Sequence, residues 1–200
     1  MSLPITPMTK LEAVNICLSS MGEAMVNSLD GAAVDAQMAS SLVDETSRSV
    51  QSMGWHWNKE RHTISPTDSG EILLPANTIR VDTVDDSKSV NVVQRGGRLF
   101  NIGENTYQFS KPLKIEIYVE LLFEDLPFAA KQFITYRSAR ILQQRLLGSE
   151  SLGKMLAADE QRSWIVLQQE ETETADPNML YDSWSTRSIV TRGYFSRGAY

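Results

Sequence analysis

The chain has 200 residues, of which 42% are hydrophobic and 22% are charged, a composition close to that of an ordinary globular protein. Its 25 acidic residues outnumber the 19 basic ones and give a formal net charge of -6. Binding to DNA phosphates needs an excess of Lys and Arg on some surface, so this balance argues against a stand-alone nucleic-acid-binding protein. The length predicts one compact domain with extensions.

No targeting or membrane segment is expected from the sequence. The first nine residues lack a basic flank followed by an apolar run, so no signal peptide is predicted. No stretch approaches the roughly 20 apolar residues that would span a bilayer. The single Cys17 lies among Val14, Leu18 and Met21, which predicts a small hydrophobic residue of the core. We therefore expect a protein made soluble in a reducing cytoplasm.

Two helices are predicted in residues 1–54. Thr9 can cap the first helix, in which apolar residues recur at helical spacing until Gly22. The second helix follows the turn around Asp30 and Gly31 and ends near Gly54. Its apolar face is defined by Val34, Met38, Leu42, Thr46, Ser49 and Met53.

Residues 55–125 are predicted to form a β-rich insertion, because runs of Ile, Leu, Val and Thr are broken by Pro and Gly. The clearest strand is residues 113–121, where apolar side chains alternate with polar ones. This alternation predicts one buried face and one wet face, the latter carrying Lys114, Glu116, Tyr118 and Glu120. Upstream, residues 90–93 and 98–101 flank Gly96 and Gly97, a pair suited to the positive φ angles of a tight hairpin.

Residues 126–176 are predicted to complete the bundle with two more helices. The first lies between Pro127 and Gly148 and has apolar residues on two faces, which predicts packing on both sides. The second can be capped by Ser151, and its acidic end opposes the helix dipole and favours fraying. One face of this second helix is predicted to carry Leu152, Met155, Leu156, Ser163, Val166 and Leu167. The fold class is therefore α+β and mainly α.

Residues 177–200 lack a repeating pattern and are predicted to form an extended C-terminal arm. From residue 178 onward the arm holds three Arg against one acid, together with aromatic residues, and these residue types are favoured in interface hot spots. We expect this arm to dock on another protein. The alternative is a disordered end whose aromatic residues have no role. The candidate contact residues are Trp184, Arg187, Arg192, Tyr194, Phe195 and Arg197.

No catalytic motif is evident. A phosphate-binding glycine loop, a G-x-S-x-G turn and paired CxxC motifs are all missing. His56 and His62 lack clear partners for a zinc site, so neither a metal nor a cofactor is expected. Glu116 and Glu120 are the most suggestive acid pair for glycan cleavage. However, four strand residues span about 13 Å, beyond the roughly 5 to 10 Å that glycosidases use.

Two further clusters have simpler structural explanations. Asp82, Asp85 and Asp86 lack the glycine-centred loop and distal Glu of a calcium site, so a turn leaving a strand is favoured. Trp55 and Trp57 bracket His56 and could pack together or clamp a sugar or a base. Anchoring of the β region on the helices is the favoured interpretation of this pair.

The order of these segments resembles the tail tubular protein A family of short-tailed bacteriophages. The similarity covers nearly the whole chain, and its specificity lies in the order and spacing of segments that are not diagnostic singly. These segments are LEAVNICLSSMG (11–22), VQSMGWHW (50–57), ILLPANTIRV (72–81), RGGRLF (95–100), residues 133–148 and NMLY (178–181).

The resemblance implies a structural virion protein of the head-tail junction, made in the cytoplasm of the host bacterium. It implies a dodecameric adaptor ring that joins the portal protein to the tail nozzle protein, tail tubular protein B, and binds tail fibres. The arm then becomes a candidate contact with the portal or a neighbouring subunit. The hairpin residues Arg95, Gly96, Gly97 and Arg98 become a candidate contact with the nozzle or a fibre. No catalytic residue is implied, so no enzyme activity is expected.

Such a ring would assemble by burying unfinished apolar surfaces and arms against neighbouring copies, and the two-sided helix before Gly148 is a candidate surface. An acidic channel wall would let viral DNA pass without specific binding. The alternative function is a tail-associated cell-wall or capsule glycan hydrolase, suggested by exposed carboxylates and by the tail location.

Overall fold

A computed structural model of the protein describes residues 8–175. Within this range the fold is α+β and mainly α, as predicted. The described residues form four α-helices: α1 (Lys10–Ser19), α2 (Val34–Gln51), α3 (Phe128–Leu146) and α4 (Glu150–Ala175). Five strands lie between α2 and α3: β1 (Lys59–Ile64), β2 (Thr78–Thr83), β3 (Val92–Arg95), β4 (Arg98–Asn101) and β5 (Leu113–Val119).

The ends of α1 and α2 follow from local residue chemistry. The Thr9 hydroxyl accepts a hydrogen bond from the Glu12 backbone N–H at 3.2 Å, and the Glu12 carboxylate accepts one from the Thr9 N–H at 2.7 Å. This reciprocal capping box confirms Thr9 as the cap of α1. Gly54 follows α2 with a φ of +84°, and a Cβ added there would lie 2.5 Å from a Tyr118 ring carbon. Gly54 thus allows the backbone to turn after α2 and leaves room for the Tyr118 ring of β5.

The helix α3 packs against α1, α2 and α4. Its buried residues include Ile134, Ala139 and Leu142, which point in different directions around the helix axis. Packing on two sides is therefore confirmed. The chain's own helices pack against both of those sides, but Phe128 and Leu146 stay exposed. The expectation that α3 offers apolar surface to another subunit therefore stays a prediction.

The helix α4 turns only part of the face that the sequence pattern predicted toward the core. Gly153, Ser163 and Leu167 are buried, whereas Leu152, Met155 and Val166 are exposed. The predicted face mixed two neighbouring apolar stripes. Trp164 packs against Phe133 with ring centroids 4.8 Å apart, and Glu160 pairs with Arg137 and Arg140 of α3, so these contacts select the inner stripe.

The start of α4 also differs from the prediction. The helix begins at Glu150, directly after Ser149, and is not capped by Ser151. Its acidic run is helical as far as Ala175. Near this end the Glu171 carboxylate accepts hydrogen bonds from His56, which tethers the helix to the start of the β region.

The strands form two antiparallel sheets. The larger has the order β1-β5-β2, so β5 is its central strand, and the smaller is the β3–β4 hairpin. Gly96 and Gly97 join β3 to β4 with φ angles of +58° and +75°, the conformation of a tight two-residue hairpin turn. The predicted hairpin is confirmed, but its first strand is Val92–Arg95 and not residues 90–93. Backbone hydrogen bonds from Leu74 to Gly97 and from Leu99 to Ile72 attach it to the rest of the β region.

The prediction of a wet outer face on β5 is wrong for two residues. Glu116 and Tyr118 are each only 8% exposed. Because β5 is central, side chains of both neighbouring strands cover its outer face: Lys59 and Arg61 of β1 reach Glu116, and Arg80 of β2 lies over the Tyr118 ring. The opposite face follows the prediction, since Ile115 and Ile117 are fully buried.

The core has two apolar clusters. One is helical and includes Cys17, which is fully buried as predicted. The other lies between the sheets and is built from Ile72, Leu74, Leu99, Leu113, Ile115, Ile117 and Val119. Leu121 is partly buried against both clusters, so it marks the place where the helical layer and the β region meet.

Candidate interaction surfaces

The β3–β4 hairpin presents its turn to solvent. Arg95 and Gly96 are exposed, and the Arg95 guanidinium lies 3.8 Å from the centre of the Phe100 ring. The cation stacked on the ring holds the Arg95 side chain in place while leaving it accessible. The structure thus places Arg95 where a partner can reach it.

Arg98, at the other side of the turn, is engaged within the chain. Its guanidinium forms an ion pair with Glu71 at 2.6 Å and lies 4.7 Å from the centre of the Tyr107 ring. Arg98 therefore helps to orient the hairpin. The sequence pattern alone treated Arg95 and Arg98 alike, because Glu71 and Tyr107 are distant in sequence.

The candidate residues of the C-terminal arm lie outside the described part of the chain. They are Trp184, Arg187, Arg192, Tyr194, Phe195 and Arg197.

The tryptophans at the start of the β region form an aromatic cluster with α4. The rings of Trp55 and Trp57 are stacked, with centroids 6.2 Å apart, and Trp55 meets the edge of Trp164 at 5.8 Å. Trp55 is buried, and its indole N–H donates a 2.7 Å hydrogen bond to the Val50 carbonyl. Anchoring of the β region on the helices, the favoured interpretation of this pair, is confirmed.

The two histidines lie apart, each within hydrogen-bonding distance of a glutamate. His56 contacts Glu171 through both its backbone N–H, at 2.9 Å, and its ring. His62 contacts Glu60 on β1 at 2.8 Å. Between residues 8 and 175, no cluster of three or more His, Cys, Asp or Glu side chains has the geometry of a metal site.

The Asp residues at the end of β2 and just after it lie at the predicted turn. Asp85 and Asp86 belong to a short 3-10 helix that directly follows Val84. Asp86 pairs with Lys114 at 2.9 Å, and the Asp82 carboxylate accepts the backbone N–H of Thr83 at 2.8 Å. These carboxylates therefore organise the turn and its contact with β5.

Glu116 lies in a network of cations and is unsuited to donate a proton. Lys59 lies 3.1 Å and Arg61 3.0 Å from its carboxylate oxygens, and the Tyr118 hydroxyl donates to it at 3.2 Å. Burial acts to raise the pKa of Glu116, but the hydrogen bonds from Arg61 and Lys59 outweigh it, so the pKa lies below the usual range. A glycosidase acid needs the opposite shift.

Exposed apolar side chains form three groups on the helical layer. The α1–α3 groove, of about 510 Å³, includes Ile16, Met25 and Phe128. The α2–α3 groove, of about 360 Å³, exposes Val34 and Met38, with the buried Leu142 at its floor. The third group, the α4 stripe, consists of Leu152, Met155 and Val166. The sequence shows that these residues are apolar, but its periodicity does not tell which of them remain exposed after the helices pack.

Within residues 8–175 the apolar grooves and the exposed hairpin turn are surfaces suited to contacts with other proteins. The sequence model for tail tubular proteins matches residues 11–177, so the chain belongs to the tail tubular protein family. The chain is also 29% identical over 164 residues to tail tubular protein A of Klebsiella phage KP34, a match that covers 81% of this chain and 87% of the relative. The resemblance stated from the sequence is thereby confirmed.

Family membership makes the chain a structural component of a bacteriophage tail. The helices within residues 8–175 include none with the length and apolar content needed to cross a membrane.

Proposed function

We propose that the protein is the head-to-tail adaptor, a subunit of a ring that joins the portal to the tail nozzle and encloses part of the DNA ejection channel. The family match over residues 11–177 carries this proposal. The exposed grooves of the helical layer support it, because a ring subunit must bury apolar surface against its neighbours. A dodecamer at the head-tail junction is the stoichiometry and location that we propose.

The mass of the purified protein tests this role, measured alone and after mixing with the portal by native mass spectrometry. We expect many copies, twelve in the proposed ring, bound to one portal. A protein that stays monomeric and ignores the portal would refute the adaptor role.

The C-terminal arm is the proposed contact with the portal or a neighbouring subunit. A chain that ends at Asp176 should keep its helical circular dichroism signal, because the helical core lies before that point. It should fail to join the portal. The matched control is a full-length chain with Trp184→Ala and Phe195→Ala. It keeps the arm but removes two of its proposed contact side chains, so it should also fail to join the portal. Normal assembly of both variants would rule out docking by the arm.

The β3–β4 hairpin is the proposed contact with the nozzle or with a tail fibre. Arg95→Ala should weaken that binding while leaving the thermal midpoint nearly unchanged, since Arg95 is exposed at the turn. Lys111→Ala is the control, because Lys111 is an exposed cation elsewhere in the β region. Equal binding of the nozzle and of the fibre by Arg95→Ala and the unaltered protein would refute this assignment.

Viral DNA is proposed to pass through the ring without specific binding. The net charge of -6 supports this proposal, since an acidic wall repels phosphates. Fluorescence anisotropy of labelled duplex DNA with the assembled ring at physiological salt should show no tight binding. Saturable binding at nanomolar concentrations would contradict the proposal.

Catalysis is not part of the proposed role. The low pKa of Glu116 and its pairing with Lys59 and Arg61 argue against the hydrolase alternative. A zymogram with peptidoglycan or capsule substrate should show no clearing by either the unaltered protein or Glu116→Gln. Clearing by the unaltered protein that Glu116→Gln abolishes would establish the hydrolase instead.

A further inference from the structure

Two exposed surfaces of the helical layer complement each other in spacing and charge. We propose that the α4 stripe of one copy docks in the α2–α3 groove of the next copy. This inference rests on the proposed ring and specifies the surfaces that join its subunits.

The α4 stripe has the residue spacing of a helix-pairing surface. Its apolar residues Leu152, Met155 and Val166 share one side of α4 with the charged residues Asp159 and Arg162. The five follow one another at intervals of three and four residues, the heptad spacing that keeps side chains on one side of a helix. Met155 is 67% exposed. Asp159 and Arg162 form an exposed ion pair at 3.0 Å. Along this side of α4, the apolar residues Leu152 and Met155 are therefore followed by the Asp159–Arg162 pair.

The α2–α3 groove has the same two parts. Val34, at 70% exposure, and Met38 form its apolar part, and Glu45 with Arg145 forms a pair at its side. The Glu45–Arg145 distance is 3.9 Å and both side chains are largely exposed, so this pair is loose. Both charges are therefore available to a second partner at little cost.

The spacing along the two helices agrees. Seven residues separate Met38 from Glu45, and seven residues separate Met155 from Arg162, which corresponds to about 10 Å of helix in each case. In the proposed contact, α4 of one copy lies parallel to α2 of its neighbour. One alignment of the two helices then brings Met155 beside the neighbour's Met38 and Arg162 beside the neighbour's Glu45. Asp159, one turn before Arg162, then lies beside Arg145. Cross-pairing of these charges sets the register of the contact.

The two surfaces occupy different sides of the subunit. On α3, Arg140 bonds Glu160 of α4, whereas Leu142 lines the α2–α3 groove. Two residues along a helix correspond to a rotation of roughly 200°, so α4 and the groove lie on nearly opposite sides of α3. One copy can therefore use its stripe on one neighbour and its groove on another. Such a head-to-tail contact closes into a ring when the rotation per subunit allows it.

Charged substitutions at the two methionines test the contact in the full-length protein. Met155→Glu and Met38→Glu should each convert the multimer to monomers in native mass spectrometry, alone or on the portal, with unchanged circular dichroism. Met25→Glu is the matched control, because Met25 is 71% exposed and lies in the α1–α3 groove. Met25→Glu should assemble like the unaltered protein.

A charge exchange tests the register. Arg162→Glu and Glu45→Lys should each weaken assembly by about tenfold or more, which corresponds to about 1.4 kcal/mol. The double variant should restore assembly, because the pair is reformed with its signs reversed. Loss of assembly in both single variants without any restoration in the double variant would overturn the proposed pairing.

Other outcomes separate this inference from the proposed function. If the unaltered protein forms the ring and both methionine variants do so equally well, the ring stands and the proposed contact is overturned. If Met155→Glu keeps the ring but loses the portal, the stripe binds the portal and the contact is again overturned. If Met155→Glu destabilises the monomer far more than Met25→Glu does, the stripe packs against the chain's own arm and the contact is overturned as well. An unaltered protein that never forms a multimer would refute the ring itself.

Discussion

Gln51 joins the helical layer to the β region, and replacing it should loosen that junction. The side chain is fully buried at the end of α2. Its carbonyl oxygen accepts the Leu121 N–H at 2.8 Å, and its amide nitrogen donates to the Leu121 carbonyl at 3.0 Å. The same amide donates to the Ser47 hydroxyl at 3.0 Å. One side chain thus satisfies both backbone groups of Leu121.

Gln51→Met keeps the length of the side chain and removes these hydrogen bonds. Each buried polar group left without a partner costs about 1 to 3 kcal/mol. The N–H and the carbonyl of Leu121 are both affected, and burial of the methionine offsets part of the loss. We expect a destabilisation of about 3 kcal/mol. In a chain of this size that lowers the thermal midpoint by about 6 to 12 °C.

Thermal and urea unfolding of the unaltered protein, Gln51→Met and Gln169→Met measure this effect. Gln169 is exposed on α4, so its replacement should change the free energy of unfolding by less than about 0.5 kcal/mol. A loss below about 1 kcal/mol for Gln51→Met would refute the argument that this amide is a principal link between the helices and the sheet.

Three further substitutions or conditions give measurable effects. The pKa of Glu116 lies below its usual range, so its network stabilises the fold above the unfolded pKa of about 4.3 and the contribution is lost as the pH falls through the folded pKa. Urea titrations from pH 7 to 3 should therefore show a shallower acid loss for Glu116→Gln; identical slopes would contradict this. Gly54→Ala should destabilise the protein by about 1 to 3 kcal/mol in the same titration, because the new Cβ would clash with the Tyr118 ring and the residue has a positive φ. An unchanged free energy of unfolding would contradict that explanation. Burial raises the pKa of Cys17 to about 12, so a thiol reagent at pH 8 should modify the unfolded chain far faster than the native one, and equal rates would place Cys17 outside the core.

The elements that could be predicted from the sequence depend on partners that are close along the chain. The capping box of Thr9 and Glu12 spans three residues, and the hairpin turn is set by Gly96 and Gly97 themselves. Helix and strand periodicity likewise reflects neighbouring positions. The family was also recognisable, because the order of short segments is a property of the sequence.

The sequence did not distinguish the surroundings of the two hairpin cations. Arg95 and Arg98 were both indicated as contact residues by their position at the turn. The structure leaves Arg95 at the surface and engages Arg98 with Glu71, 27 residues earlier in the chain. Proposals for the arm residues continue to rest on their composition, since they lie outside the described range.

The sequence by itself determined the order of the four helices and the β region, and it located the β3–β4 hairpin and β5, because these depend on local geometry and periodicity. Only the tertiary structure decided which apolar stripe of α4 turns inward and that Glu116 is covered by the neighbouring strands. It also decided that His56 meets Glu171, 115 residues away, and that Gln51 binds Leu121, 70 residues away. Burial and pairing of this kind are set by which elements become neighbours in space, and local sequence patterns carry no information about those neighbours.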